Sequence, residues 1–333
     1  MIYILGAGIA GLTLAEVLHA RNMDFQVFEK QASLGKEASG KNAGMLRTYD
    51  TDTVLKPFTL KSLEYYRQNE PSFVERGMIL KPWEIDYAET PEGEKFFSHN
   101  RFKGFFLPAN GTLEPLEVLD RLHKKVKNIA LNAPVGLKVA AQRIAALKIA
   151  EEEIPLKEDD KIVVAAGEGS VALAHETATP IELIAYRRTL YEFKNTIGHN
   201  GPIEWDEEAS VYFRPSGGGK TLTATAGDQI PVAQGTVDED LEDDKAFQII
   251  EREFPFLNRE NLVSKRICRR LMPLDNRPFI GRDTSLANLY WFTGLGGRGM
   301  SMSPGIAPYF ADLLLNEKKI LEFEPFLPGR VVV

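Results

Sequence analysis

The sequence predicts an α/β protein of two domains, and three observations predict it. The first 29 residues read strand, glycine turn, helix, strand. Two more short apolar runs of the buried parallel-strand kind, at 161–166 and 288–293, recur far along the chain. Between them lie hairpin patterns that belong to antiparallel sheet. The length, 333 residues, exceeds one ordinary core.

Residues 2–5 form the first strand, 9–21 a helix with apolar residues at helical spacing, and 24–29 (DFQVFE) the second strand. Residues 32–48, rich in Gly, Ala, Ser and Asn, read as a long functional loop, and 52–69 as a helix. Residues 78–107 read as irregular, with Pro82, Pro91, Gly93 and an aromatic cluster of Phe96, Phe97, Phe105 and Phe106. A helix over 116–126 opens with Pro115 in its first turn. Residues 135–156 alternate imperfectly, as in a small meander. Residues 181–193 and 209–226 read as strands, the latter a hairpin turning at 215–219 (PSGGG). An acidic stretch, 238–244, leads into a helix stopping at Pro255; its charges are those of a solvated helix start. The last strand, NLYWFT, meets a loop of four glycines (Gly294, Gly296, Gly297, Gly299) and a helix from about Pro304 to 315.

Composition excludes several classes. Hydrophobic residues make up 44% and charged residues 26%, as in soluble globular proteins. A single cysteine, Cys268, rules out an internal disulfide framework and a Cys-based zinc ribbon. The formal charge of −7 argues against nucleic acid as main partner. Residues 1–15 are uncharged, yet no basic segment precedes the apolar run and three glycines interrupt it, so neither a secretory signal nor a membrane span is expected. A cytoplasmic location follows as an expectation. His19, His99, His123, His175 and His199 are scattered, without metal-ligand spacing, and no metal site is expected.

Gly6-Ala7-Gly8-Ile9-Ala10-Gly11 is G-x-G-x-x-G, placed directly after a strand and opening a helix. Gly6 permits the turn, Gly8 lets a pyrophosphate approach, and Gly11 lets helix and sheet pack closely. Free N–H groups and the helix dipole then face the phosphates. Glu29 ends the second strand 18 residues after Gly11, where a carboxylate accepts from both ribose hydroxyls and repels a 2′-phosphate.

Three separated segments then resemble one family, the D-amino-acid-oxidase superfamily of FAD-dependent oxidoreductases, with the nearest look to glycine oxidases and monomeric sarcosine oxidases. They are GAGIAGLTLAEVL with Glu29 and ASGKNAGML; VVAAG at 163–167; and RRLMPLDNRPFIG (269–281) followed by NLYWFTGLGGRGMSMSPG (288–305). The resemblance implies a FAD-binding Rossmann-like domain with an interleaved, mainly antiparallel-sheet substrate domain, of the glutathione-reductase-2 type. The expected FAD-binding domain is 1–76, 112–180 and 265–333; the substrate domain is 77–111 and 181–264. Hydride removal from the C–H beside an amine nitrogen of a small amino acid or secondary amine is implied, giving an imine that hydrolyses. FAD contacts are implied for Gly6, Gly8, Ile9, Ala10, Gly11, Glu29 and Lys30, and for Ser39, Gly40, Lys41, Asn42, Ala43, Gly44 and Met45 along phosphates and flavin. Val135 is implied at the adenine through its backbone, with Ala166 and Gly167 beside the nucleotide. Gly294, Gly296, Gly297, Arg298, Gly299, Met300 and Ser301 are implied along the pyrimidine edge of the flavin ring.

On the substrate side the resemblance points to Arg270 as a carboxylate clamp, assisted by Tyr212 in VYFRP or by Arg47 after the flavin loop. A guanidinium holds a carboxylate bidentately and orients the α-carbon. Each of the three has a plainer reading: a structural arginine, a packing tyrosine, a surface loop charge. Arg214 and Arg298 are weaker clamp candidates. The family usually carries Arg-Pro where this chain has Arg270-Leu271, and sarcosine oxidase carries a lysine where Ser301 stands, which leaves oxidase and dehydrogenase both open. FAD is expected non-covalently. The alternative is a covalent link through Cys268, which occupies the position of the cysteine joined to flavin in sarcosine oxidase; its plainer reading is a small buried hydrophobe. Two other functions stay open: action on a modified tRNA base side chain, and a flavin-binding subunit with little activity of its own.

Overall fold

The computed structural model describes the chain except for residues 51, 82–94, 99–102, 228–229, 233–243, 317–320 and 331–333. Pro82, Pro91, Gly93, His99 and most of the acidic stretch 238–244 lie outside the described residues. The chain divides into two compact units. One comprises Met1–Lys41, Pro115–Tyr186 and Arg269–Val333; the other comprises Asn42–Glu114 and Arg187–Cys268.

The first unit is built on a six-stranded sheet in the order Phe279–Arg282, Leu289–Thr293, Lys161–Val164, Ile2–Leu5, Phe25–Phe28, Ile129–Ala130. All neighbours are parallel except the edge strand Phe279–Arg282, which runs antiparallel to Leu289–Thr293. The central register sets Ile2 beside Phe25 and Lys161, and Leu5 beside Phe28 and Val164. These strands are continuous apolar runs because both faces are covered. Leu5, Phe28, Leu137, Leu147, Ile162, Val164 and Trp291 form one buried cluster. Each such side chain contributes about 1.5–3 kcal/mol on burial, enough to hold the unit without a disulfide.

The expected meander is a three-stranded antiparallel sheet: Val135–Ala140, Arg143–Ile149 and Glu152–Pro155. Its first turn puts both Ala141 and Gln142 at positive φ, which a two-residue hairpin of this twist demands even without glycine. The helices Ile9–Ala20 and Pro115–Lys125 lie where the apolar spacing put them. The C-terminal helix does not. It spans Gly299–Asn316, so it starts five residues before the expected Pro304, and both Pro304 and Pro308 sit inside it. An interior proline costs about 3 kcal/mol. Here Met300, Met302, Ile306, Phe310 and Leu314 are all buried, and that burial outweighs the lost hydrogen bonds.

The second unit carries a mixed sheet in the order Ile230–Pro231, Leu183–Lys194, Thr221–Ala226, Val211–Ser216, Ile203–Asp206, Met78–Lys81, Lys103–Leu107, Lys95–Ser98. The hairpin at 209–226 forms as expected, with Val211 opposite Ala226 and Ser216 opposite Thr221. The stretch 78–107, expected irregular, supplies three strands. Met78, Ile79 and Leu80 are all buried, which is why they show no alternation. Gly104 admits the neighbouring backbone: a Cβ there would lie 2.1 Å from the Leu80 carbonyl oxygen. Phe193, Phe213, Leu222, Ile250, Phe254 and Leu257 pack one face of the sheet under the helix Asp244–Glu253. A small sheet pairs Met45–Leu46 and Val74–Glu75 with Gly111–Thr112.

Candidate active site

The first unit holds the dinucleotide fingerprint. Gly6 has φ +111°, and a Cβ there would meet the Ala165 carbonyl oxygen at 2.5 Å and the Ala166 Cα at 2.8 Å. A Cβ on Gly11 would lie 2.0 Å from the Gly6 oxygen. Gly8 caps the helix in extended conformation, without a side-chain cap and with no acidic residue in the first turn. Ser39 reaches over it and accepts the Ile9 N–H at 3.0 Å. The Glu29 carboxylate accepts from Ala7 N–H at 2.9 Å with one oxygen and from Gln31 N–H at 2.9 Å with the other. Ala133 N–H donates to the Glu29 carbonyl at 2.8 Å, which anchors the ALNAPV segment and Val135 to the same strand end. Gly40 packs on Gly35, where a Cβ would lie 2.1 Å from the carbonyl oxygen. Lys30 is paired with Glu37 at 3.3 Å near the surface. Ala166 and Gly167 follow the strand Lys161–Val164, with Gly167 at φ +54°. A helix N-terminus opened by glycine, a glycine cradle that any Cβ would fill and a carboxylate at the next strand end fit a dinucleotide such as FAD.

The same unit holds the C-terminal glycine loop. Gly294 and Gly296 have φ +72° and +57°. Gly296 lies against Met272, and Gly297 lies against Arg270: a Cβ on Gly297 would be 3.2 Å from the guanidinium carbon. Gly299 packs on Ile9, so the loop runs beside the fingerprint helix. Arg298 donates to the Asn276 carbonyl at 3.3 Å, while Met300 and Ser301 are buried. Arg269 pairs with Glu168 at 3.0 Å. Its neighbour Arg270 is half-buried and has no ion-pair or hydrogen-bond partner among the described residues. An arginine stays charged in any such setting, so this one holds an uncompensated positive charge against the glycine loop.

The other two clamp candidates belong to the second unit. Tyr212 is buried on Val211–Ser216, and its hydroxyl has no partner among the described residues. Its ring meets Trp205 edge-on at 6.0 Å, and the Arg47 guanidinium lies 4.8 Å above the Trp205 ring. Arg47 also pairs with Asp50 at 3.3 Å, a carboxylate with only 2% of its side chain exposed. The structure thus joins Tyr212 and Arg47 through Trp205, a residue that no motif flagged. Arg214 is 1% exposed, and its Nε and Nη1 donate to Ala43, Glu114 and Pro215. In the loop 42–45, Asn42 Oδ1 accepts from Gly44 N–H at 2.8 Å, Gly44 has φ +67°, and Met45 pairs with Thr112. Cys268, the last residue of this unit, is buried and in no disulfide. Among the described residues no His, Cys, Asp or Glu cluster could hold a metal, and no helix is long and apolar enough to cross a membrane.

Comparison with known proteins adds the following. A family model described as DAO, FAD dependent oxidoreductase, matches residues 1–313. No curated protein sequence matches significantly. Among solved structures, glycine oxidase from Bacillus cereus superposes with TM-score 0.79 at 19% identity, over 100% of this chain and 99% of that one. L-proline dehydrogenase from P. horikoshii gives 0.86 at 18%, over 99% and 96%. L-α-glycerophosphate oxidase from Mycoplasma pneumoniae, solved with FAD bound, gives 0.73 at 18%, over 95% and 94%.

Proposed function

The chain belongs to the DAO family of FAD-dependent oxidoreductases, and on that footing we propose that it oxidises a C–N bond. Its substrate is a small amino acid or secondary amine that loses hydride from the carbon beside nitrogen and leaves as an imine that hydrolyses. Bound FAD supplies the two-electron acceptor for that hydride. Shared fold alone does not choose the substrate; an amine or amino-acid chemistry is favoured by the residues on the substrate side.

The observation that carries the reading is the guanidinium of Arg270 against Gly297, without a partner among the described residues. An uncompensated arginine beside a backbone loop is a receptor for a planar anion, and a carboxylate fills its fork bidentately. Held that way, a substrate presents its α-carbon in one orientation, which supplies much of the rate in a step that needs few acid–base groups. Tyr212, in the second unit, is kept as a candidate hydroxyl donor on the strength of the VYFRP resemblance. Arg47 is already engaged with Asp50 and Trp205, so its part is to hold the indole rather than to carry the anion.

The residues proposed to hold FAD are those of the fingerprint and of the two loops. Gly6, Gly8 and Gly11 with the first turn of the helix take the diphosphate, and Glu29 takes the adenosine ribose. Residues 39–41 and 294–301, all of the first unit, lie along the flavin in this reading, and 42–45 are kept as flavin contacts on the resemblance alone. FAD is held non-covalently in this reading, and the protein is cytoplasmic. The experiment is anaerobic reduction of the bound flavin by glycine, sarcosine, proline, D-amino acids, polyamines and α-glycerophosphate, with wild type and Arg270→Ala compared. Reduction by a carboxylated amine that the variant loses supports the assignment. Reduction by α-glycerophosphate alone overturns it.

A further inference from the structure

We propose that Arg330 is a positioning residue for the glycine loop 294–298: it locks the turn 273–278, and that turn backs the loop. The inference rests on the reading above that lays this loop along the flavin, and every residue in it belongs to the first unit. An arginine carries five N–H donors in a rigid fork, and on Arg330 all of them are taken. Nε and Nη2 donate to the two Asp275 carboxylate oxygens at 2.7 and 3.0 Å. Nη2 also donates to the Arg277 carbonyl. Nη1 donates to the Pro278 carbonyl at 3.2 Å and to the Leu327 carbonyl at 3.4 Å. Only the bond to Leu327 is local; the others all end on the turn. The segment that carries Arg330 has its own anchors. Phe323 and Phe326 are buried, and Leu327 lies against Gly281, where a Cβ would come within 2.6 Å of it.

The turn is closed by bonds of its own. Asn276 N–H donates to the Pro273 carbonyl at 3.1 Å, and Arg277 N–H to Asp275 Oδ1 at 3.0 Å. Asn276 has φ +59°, a conformation that few residues but glycine and asparagine adopt readily. The turn and the strand end before it meet the glycine loop at three points. Arg298 donates to the Asn276 carbonyl at 3.3 Å. A Cβ on Gly294 would lie 2.9 Å from the Pro273 ring, and one on Gly296 would lie 3.2 Å from Met272. The loop leads straight into the helix Gly299–Asn316. Backbone N–H groups there stabilise negative charge on a reduced flavin only while their aim is fixed beforehand. Arg330 thus acts through the turn and the loop, and not on substrate.

A residue that only stabilises the fold would lower the melting temperature and leave the flavin as it was. A positioning residue would also move the flavin's spectrum and potential. The test uses the full-length flavin-loaded protein as wild type, Arg330→Met, Asp275→Asn and the double variant. Each is read by circular dichroism and melting, by the visible spectrum of the bound flavin, and by its midpoint potential in an anaerobic dye-coupled titration. Expected for Arg330→Met is a folded protein with a displaced flavin band and a lower midpoint potential, because donors that drift from the pyrimidine edge stabilise the reduced flavin less. Asp275→Asn moves both in the same direction. The double variant goes no further than the larger single change, as for two partners of one contact. A folded Arg330→Met protein with wild-type spectrum and potential overturns the inference, however far its melting temperature falls. Shifts that simply add in the double variant overturn it too, because Arg330 would then act elsewhere than on Asp275. If Arg330→Met fails to fold, Asp275→Asn, which keeps the side-chain volume, decides alone: an unchanged spectrum and potential overturns the inference. Wild-type protein that takes up no FAD overturns the underlying reading, whereas flavin-loaded variants that match wild type overturn only the role of Arg330.

Discussion

Glu29 and Ala7 are joined across the fingerprint turn: one carboxylate oxygen accepts the Ala7 N–H at 2.9 Å. The same carboxylate binds Gln31 N–H at 2.9 Å, so its position is set before any ligand arrives. Hydrogen bonds to a charged group are worth about 1.5–3 kcal/mol each. Glu29→Ala is expected to raise the FAD Kd between roughly tenfold and a hundredfold, with Glu29→Gln between it and wild type. Fluorescence titration checks this. Wild-type affinity in Glu29→Ala would place the ribose elsewhere.

Two glycines of the first unit should respond in opposite ways. A methyl on Gly11 would lie 2.0 Å from a backbone oxygen, whereas a methyl on Gly167 meets nothing within 4 Å. Gly11→Ala is expected to lose both stability and flavin. Gly167→Ala pays only for its φ of +54°, about 1–2 kcal/mol, and should keep its flavin with a melting point lower by only several degrees. Thermal melts with and without FAD compare the two, and equal losses would contradict the close packing at Gly11.

The fingerprint was legible in the sequence because it is local: glycines at fixed offsets, a strand before and a carboxylate after. The hairpin at 209–226 and the meander at 135–156 were legible for the same reason. The strands at 78–81 and 103–107 were not, since a strand buried on both faces loses its alternation. Pro304 misplaced the start of the last helix, because burial along Gly299–Asn316 overrides a local breaker. Trp205 carries no motif, and Arg214 stood out only as a weaker clamp candidate. Their surroundings come from partners at least 100 residues away in the chain: Arg47 for Trp205, and Ala43 and Glu114 for Arg214. Arg270 was legible as a candidate, but that it has no partner among the described residues while Arg269 pairs with Glu168 is a fact of packing alone.

Arg330 grips Asp275 through two hydrogen bonds of 2.7 and 3.0 Å and lies 4.0 Å above the Phe279 ring. It stands beyond the residues matched by the family model, which end at 313. Burial alone would raise the Asp275 pKa, but the Arg330 hydrogen bonds and the Arg277 N–H hold it below the ordinary carboxylate range. A group depressed in the folded state stabilises the fold above its unfolded pKa, and that gain is lost as pH falls through the folded value. Arg330→Met should therefore lower the melting temperature most near neutral pH. The gap to wild type should narrow below about pH 4, where free carboxylates protonate. A gap that stays constant across pH would show that Arg330 contributes packing alone.

Trp205 should matter through Tyr212, whose ring it meets edge-on at 6.0 Å, while Arg47 holds the indole from 4.8 Å. Cation–π pairs contribute about 0.5–2 kcal/mol. Trp205→Leu is expected to raise the KM for a carboxylated amine several-fold while leaving kcat near wild type, because it loosens Tyr212. Steady-state kinetics with a carboxylated and an uncarboxylated amine make the comparison. An equal effect on both would mean that Trp205 shapes the pocket generally.

The most direct measurement is anaerobic flavin reduction, followed at the visible absorbance band, with the amine panel and with wild type beside Arg270→Ala. Bleaching of the wild-type flavin by a carboxylated amine, with Arg270→Ala losing that response but keeping its flavin, is the expected result. A flavin that dithionite reduces but no amine does, or an Arg270→Ala protein as responsive as wild type, would contradict C–N oxidation at an Arg270 clamp.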